Sequence, residues 1–335
     1  MSNYPSRTDI VTAMRNPQLS FKAKQLIGGS VIRKGTRIIQ YSGGYTTVFP
    51  FNTKNKNKIA LRLWIADIGD AKRRSLEISK YLKSLKSHYF VDFKYIDDAI
   101  LINGHYHPVV LMEWVEGDTL KEYIQNNIGN STRLYNLAEK FKDMIAYFHS
   151  QNIAHGDLQH GNILIKSNED LVVIDYDSMY IKPLKGMRDI VKGIPGYQHP
   201  ARKKNKNLNS KLDYFSELII YLSLIVFAKE PYLWKDCYKT EHLLFSEKDL
   251  SEPGNSALIK KLKSSNEQPI SKLTSKLIEE LKKKDITQLR PLEELLFDKL
   301  KKTKREISDK WDNQPNPPKR KPTSFPTKKK ITDKF

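Results

Sequence analysis

The stretch IAHGDLQHGNILI, residues 153–165, is followed after five residues by LVVIDYD, residues 171–177. Within it His155, Asp157 and Asn162 form H-x-D-x-x-x-x-N, and Asp175 stands thirteen residues beyond Asn162. A four-position match of this kind arises by chance in roughly one such chain in a thousand. The apolar runs on either side read as short strands, so Asp157 and Asn162 share one loop and a strand pair delivers Asp175 opposite them. Phosphoryl transfer from a nucleoside triphosphate needs a carboxylate near the acceptor hydroxyl. It also needs an amide and a second carboxylate to hold the magnesium ions that bridge the phosphates.

Working outward, three composition zones appear. From Val31 to Val115 short β-branched and aromatic runs (TRIIQY, TTVFPF, IALRLWI, HYFVDFKYI, AILING, HPVVLMEWV) alternate with turn residues. They predict a mostly antiparallel sheet with one helix at Arg73–Ser84. From Thr119 to about Ala228 the spacing turns helical: LAEKFKDMIAYFHS (137–150) is amphipathic, whereas FSELIIYLSLIVF (215–227) is apolar all round and predicts a buried helix. Leucine-rich amphipathic segments such as LTSKLIEELKK continue to about Leu300. From Lys301 onward, five prolines and the basic runs at 319–321 and 328–330 predict a disordered tail.

The whole chain has 335 residues, 39% hydrophobic and 29% charged, so a sizeable core is expected and disorder throughout is excluded. The one cysteine, Cys237, excludes an internal disulfide framework and points to a reducing compartment. The longest apolar run, LIIYLSLIVFA (218–228), is about half of the roughly 20 residues a membrane span needs, and MSNYPSRTDIV lacks an apolar signal core. A cytoplasmic protein without a membrane segment is therefore expected. The 58 Lys and Arg against 38 Asp and Glu give a net charge of +20. That charge attracts nucleic acid in principle. The lysines are interleaved with acids, however, as in KLIEELKKKD (276–285), which reads as a solvated helical face. Nucleic acid is not expected as the main ligand. The tail lysines read as solvated, or as a docking arm for an acidic partner.

With these motifs in order, the sequence resembles the eukaryotic-like protein kinase superfamily over residues 37–228, and more closely bacterial kinase-like proteins carrying YSGG, A-x-R-x-W, HGDLQHGN and IDYD. The resemblance implies an α+β, two-lobed fold: a small β-rich lobe with one helix and a larger helical lobe, with ATP between them. It divides the chain into an N-terminal extension (1–36), a small lobe (37–113), a large lobe (114–235), a helical extension (236–300) and the tail (301–335). It implies Asp157 as the catalytic acid–base, and Asn162 and Asp175 as magnesium ligands. SGGYTTV (42–48) resembles a reduced glycine-rich loop, with Ser42, Gly43 and Gly44 over the phosphates. Val48, Ala60 and Leu164 join the nucleotide-binding set. MEWVEGDTL (112–120) resembles the hinge, with Met112 as gatekeeper, the backbone of Glu113 and Val115 facing adenine, and Asp118 or Thr119 near the ribose. GIPGYQHP (193–200) resembles the end of an activation segment, and Asp213 the aspartate that anchors the catalytic loop from below. The implied reaction is ATP- and Mg2+-dependent transfer to a Ser or Thr of a protein substrate.

Several positions depart from that pattern. Arg62 stands where the family carries lysine; it keeps the charge and can fork onto two phosphate oxygens, but it is bulkier and planar. Glu77, fifteen residues on, is the expected partner of Arg62, with a solvated surface glutamate as the alternative. Gly156 replaces the arginine that in the family clamps a phosphorylated activation loop. Residues 178–199 carry only Ser178, Tyr180 and Tyr197 as hydroxyls, so activity independent of activation-loop phosphorylation is expected. Gln159 replaces a lysine that neutralises the transferred group, a single-donor loss commonly worth about 10²–10³ in rate. Asp177 either binds metal or fixes a turn. Ala201 replaces the closing glutamate of the segment, so a substitute for its ion pair is needed. His155 reads as packing for the loop. Two alternatives stand beside protein phosphorylation: a pseudokinase scaffold, favoured by Arg62 and Gln159, and a small-molecule kinase of the aminoglycoside or choline type, suggested by HGD and IDYD.

Overall fold

The structure, a computed structural model, describes residues 4–297; the tail expected from Lys301 lies outside the described residues. The chain opens with two helices, α1 (Arg7–Arg15) and α2 (Pro17–Ser20). Ser6 and Asp9 form a reciprocal capping box that starts α1. Ile10, Ala13 and Met14, at helical spacing, are buried from α1. They join a core with Phe49, Phe51, Leu61, Leu63 and Val109. Sequence reasoning did not place these helices, and the residues before the sheet belong to its packing.

Six strands build the small-lobe sheet: β1 (Ser30–Val31), then, after the small hairpin β2 (Arg33–Lys34) and β3 (Arg37–Ile38), β4 (Tyr41–Ser42), β5 (Thr46–Asn52), β6 (Lys58–Trp64), and, beyond helix α3 (Ala71–Leu85), β7 (Phe93–Ile102) and β8 (His105–Glu113). The order is β1-β5-β6-β8-β7, with β4 on β5, and every pairing is antiparallel. The register sets Val48 opposite Arg62 and Ala60 opposite Met112. The expected strand TRIIQY is instead split: Arg37–Ile38 closes the hairpin with β2, and Tyr41–Ser42 joins the sheet.

The hinge leads through β9 (Asp118–Thr119) into α4 (Leu120–Asn127) and α5 (Ser131–Ser150). The short strands β10 (Ile163–Ile165) and β11 (Leu171–Val173) pair antiparallel just after the 151–162 loop, β10 also pairing with β9. Helix α6 (Tyr214–Lys229) is buried from Phe215 to Ala228, as an all-round apolar helix must be. It packs against α5, and the helices α7 (Trp234–Cys237), α8 (Glu247–Ser251), α9 (Ala257–Lys263), α10 (Gln268–Leu281) and α11 (Leu292–Leu296) complete the large lobe. No described helix is long and apolar enough to cross a membrane.

Candidate active site

The loop between α5 and β10 is held from beneath. Asp213, just before α6, accepts backbone N–H groups of His155 and of Gly156, the latter at 2.8 Å. The His155 ring is fully buried. Its Nε2 lies 2.9 Å from the Ile174 carbonyl oxygen and its Nδ1 accepts from Asp157 N at 3.3 Å, which fixes Nε2 as the protonated nitrogen. Burial lowers the His155 pKa, so the ring is neutral and structural. Gly156 adopts a left-handed φ of 80°, and a Cβ there would collide with the Ser178 carbonyl oxygen. The missing arginine thus has a steric cause: no side chain fits.

Asn162 Nδ2 donates to the Asp157 carbonyl oxygen at 2.9 Å and to Asp157 Oδ2 at 3.2 Å, so one carboxylate oxygen is oriented. The other, Oδ1, is buried with no hydrogen-bond partner. It faces the Gly193 backbone, where a Cβ would lie 2.5 Å from it and 2.9 Å from Gln198 Nε2, which is also buried and unpartnered. Burial, then the charge of Asp175, push the Asp157 carboxyl up to about 8, against the pull of Arg202 and the Asn162 hydrogen bond. Such a group takes a proton readily near neutral pH.

After β11 the chain turns at Asp175 through a positive φ of 69°. The Tyr176 side chain is buried; its hydroxyl accepts from Val91 N at 2.9 Å and donates to the Val173 carbonyl at 2.7 Å. With the ring so pinned, the carboxylates on either side both reach Arg62 on β6: Asp175 Oδ1 at 2.8 Å and Asp177 Oδ2 in a shorter contact. The Asp175 side chain remains 42% exposed, against 10% for Asp177, so Asp175 alone opens onto the cleft. Burial works against the charge on Arg62, but Asp175 and Asp177 outweigh it. Burial raises the Asp177 carboxyl above its usual range while Arg62 opposes the rise.

Glu77 does not join this group. Helix α3 turns Arg74, Ser75, Ile78 and Leu82 inward, and Glu77 is half-buried beside that face. Arg62 pairs with Asp177 instead, because the counter-ion is supplied from the large lobe. Arg74 occupies the inner face and donates to three backbone carbonyls, of Gly69 (2.8 Å), Asp177 (3.2 Å) and Arg188, tying α3 to the segment that follows Asp177. Counting back one helical turn from Ile78 and Leu82 identifies Arg74 as an inner residue; the expectation of a glutamate hid it.

The residues expected to face a nucleotide are placed on several elements of the two lobes. Val48 and Ala60 are half-buried on β5 and β6, Met112 is buried at the end of β8, and Leu164 is buried on β10 opposite Thr119. Glu113 is exposed, with its N–H donated to the Asp92 carbonyl oxygen at 3.0 Å, and Val115 is half-buried. The Thr119 hydroxyl is committed to the α4 capping box with Glu122, which competes with a ribose role. Ser42 Oγ lies 3.0 Å from Thr47 Oγ1. In the following turn, Gly43 N donates to the Thr46 carbonyl at 2.9 Å and Arg7 of α1 donates to the Gly43 carbonyl. A Cβ at Gly43 or Gly44 would meet nothing within 4 Å, so no close packing contact demands glycine in this turn.

Two further departures acquire partners. Gln159 Oε1 accepts from Gly161 N at 2.7 Å, so its amide is turned onto its own loop. The brace lacking at Ala201 is provided next door: Arg202, 1% exposed, forks onto Asp189 with two 3.1 Å bonds and donates to Gln198 Oε1 at 2.7 Å.

Hard oxygen donors suit magnesium, which is typically held by one or two carboxylates plus substrate phosphates. Among the described residues no group of three or more His, Cys, Asp or Glu side chains is suited to hold a metal ion. The Asp175 carboxylate, 42% exposed, and the amide oxygen of Asn162 are donors of that chemical kind.

The family model described as "Protein kinase domain" matches residues 42–298. The chain is 34% identical over 121 residues to the serine/threonine-protein kinase dkf-2 of Caenorhabditis briggsae, covering 34% of this chain and 10% of that one. It is 22% identical to the serine/threonine-protein kinase CLA4 of Candida albicans over 68% of this chain and 24% of the relative. To the LEAF RUST 10 disease-resistance locus receptor-like protein kinase-like 1.3 of Arabidopsis thaliana it is 26% identical, over 69% and 36% respectively. The chain thus spans between a tenth and about a third of the length of these relatives.

Proposed function

Because this chain belongs to the protein kinase domain family, we propose that it is a cytoplasmic enzyme transferring the γ-phosphoryl group of ATP, with Mg2+, to a Ser or Thr hydroxyl of a protein. The observation that carries this reading is the Asp157 carboxylate. One oxygen is oriented by Asn162, and the other is buried and free to accept. ATP supplies the transferable group and magnesium neutralises its charge. Asp157 orients the acceptor hydroxyl and takes its proton as the new oxygen–phosphorus bond forms and the γ-phosphorus bond to the departing ADP oxygen breaks. Asn162 holds Asp157 in position as well as offering its oxygen. Arg62, seated over Asp175 and Asp177, steadies the α/β-phosphates, and the turn at 43–44 covers them. Val48, Ala60 and Leu164 sandwich adenine, and the backbone of Glu113 and Val115 supplies its hydrogen bonds.

The test is incubation of the full chain with radiolabelled ATP and magnesium, comparing wild type with Asp157→Ala and mapping the labelled residues. Label on Ser or Thr in the wild type alone supports the reading; equal label in the variant overturns it. A second reading, a nucleotide-binding scaffold without turnover, is favoured by two observations: Arg62 is held by both acids, and Gln159 is turned away onto Gly161. It predicts an ATP-dependent rise in melting temperature with no label in either protein.

A further inference from the structure

The charge of this chain is not evenly spread. Between residues 178 and 211 nine lysines and arginines stand against one acid, Asp189, so a tenth of the chain holds +8 of its +20. That acid does not reach the surface. Its side chain has no exposed area and is enclosed by Arg202, Lys192 and Asn205. Lys182, Lys185, Arg188, Lys203, Lys204 and Lys206 are all exposed. Of these only Lys203 has an acidic partner among the described residues, Glu247 at 2.7 Å.

The cations are also arrayed rather than scattered. Asp189 N donates to the Lys206 carbonyl at 2.9 Å and Leu208 N to the Met187 carbonyl at 2.8 Å, a short ladder that sets Arg188 opposite Asn207 and beside Lys206. The buried Asp189 therefore works as a hub that folds the segment with its positive side chains outward. The same segment carries Gly193 against the free oxygen of Asp157. The segment that carries the cations thus also passes directly beside Asp157.

We propose that residues 182–206 form a cationic platform selecting protein acceptors whose Ser or Thr is flanked by Asp or Glu. The inference rests on the kinase reading above and names its substrate class. Its place beside the catalytic aspartate favours an acidic polypeptide over nucleic acid, since the charge is focused where an acceptor residue must lie.

The experiment uses the full chain and two serine peptides of equal length, one flanked by Asp and Glu, the other by Asn and Gln. Transfer is measured at about 50 and 300 mM salt, the latter shortening the screening length to about 6 Å. Binding of the same labelled peptides is followed separately by fluorescence anisotropy without nucleotide. The acidic peptide is expected to be favoured roughly tenfold at low salt through KM, with the preference shrinking at high salt and lost in the triple variant Lys185→Glu, Lys204→Glu, Lys206→Glu. A triple variant melting well below wild type would be replaced by Lys204→Gln, Lys206→Gln, which should lose part of the preference. If transfer occurs but the two peptides are used equally, the platform is wrong and the kinase stands. Should neither peptide be labelled while the acidic one still binds in a salt- and lysine-dependent way, the platform stands and the kinase reading fails. Tighter binding of a single-stranded oligonucleotide of matched charge, at the same lysines, overturns the proposal in favour of a nucleic-acid surface.

Discussion

Two buried arginines divide this molecule by what surrounds them. Arg202, in the large lobe, uses all three guanidinium nitrogens, on Asp189, Gln198 and the Leu212 and Val191 carbonyls. Arg62, in the small lobe, spends one nitrogen on two carboxylates and leaves its buried Nε with no partner. One of its acids is 42% exposed. A closed network of this kind fixes a conformation, whereas an open one keeps charge in reserve for something that arrives later. The same contrast holds in the catalytic loop, where His155 is fully bonded and Asp157 keeps a free oxygen.

The contrast can be broken by experiment. The largest effect is expected at the open end: Asp157→Asn should lower transfer by about 10³-fold or more while the ATP-dependent rise in melting temperature persists. Steady-state labelling and thermal melts read the two separately, and loss of both together would mean that Asp157 is structural. Next, Arg202→Met should destabilise by about 3 kcal/mol in urea unfolding, because it removes the bidentate partner of buried Asp189 and leaves only Lys192 and Asn205 on it. Arg62→Lys keeps the charge where coordination is incomplete and should cost about 1 kcal/mol or less, with transfer within tenfold of wild type. Equal losses at the two sites would erase the distinction.

Smaller than the Arg202 effect is that of a third closed network, His149 between Glu217 (2.8 Å) and Glu293 (2.9 Å). Burial opposes the charge of His149, but the hydrogen bond and charge of Glu217, with Glu293, raise it to about 9. A raised histidine stabilises fully below its unfolded value near 6.5 and loses that contribution as pH climbs through 9. The loss should be on the order of 2 kcal/mol, reduced because burial also pushes the Glu217 carboxyl upward. Urea melts at pH 6.5 and 9.5 measure it, and His149→Gln should flatten the difference. The smallest effect is a titration. In the nucleotide-free chain the Asp157 carboxyl should titrate near 8 by carbon-13 NMR, and its midpoint should drop in Asp175→Asn. An unmoved midpoint would show that Asp175 does not act on it.

Residues joined by a short span of chain were legible in the sequence. Asp157, Asn162 and Asp175 lie on one loop and the strand pair after it, so spacing alone brings them together, and the apolar run of α6 announced a buried helix. Partners brought together from distant, irregular segments were not. Asp189 and Arg202 meet across backbone with no repeating period, and nothing in their spacing encodes a bidentate pair. Glu77 was expected to serve Arg62 because it is acidic and at a suitable remove, whereas the phase of α3 turns Arg74 inward and the counter-ion comes from Asp177. The α1 helix did carry a signal, Ser6-x-x-Asp9 ahead of Ile10, Ala13 and Met14; its short length masked it.

Gly156 also bears on which sequences lie within reach of this one. Its left-handed backbone and the Ser178 carbonyl oxygen above it leave no room for a side chain. Restoring an arginine there is therefore not a single substitution: the turn at Ser178 would have to shift first, and that shift brings no benefit until the arginine is present. Each change is unfavourable without the other, a sign-epistatic barrier. A lineage that has crossed it cannot regain a phosphate-sensing catalytic loop by point mutation alone. New control over such a chain would sooner arise at other surfaces, through a partner's grip or through local concentration of its acceptor.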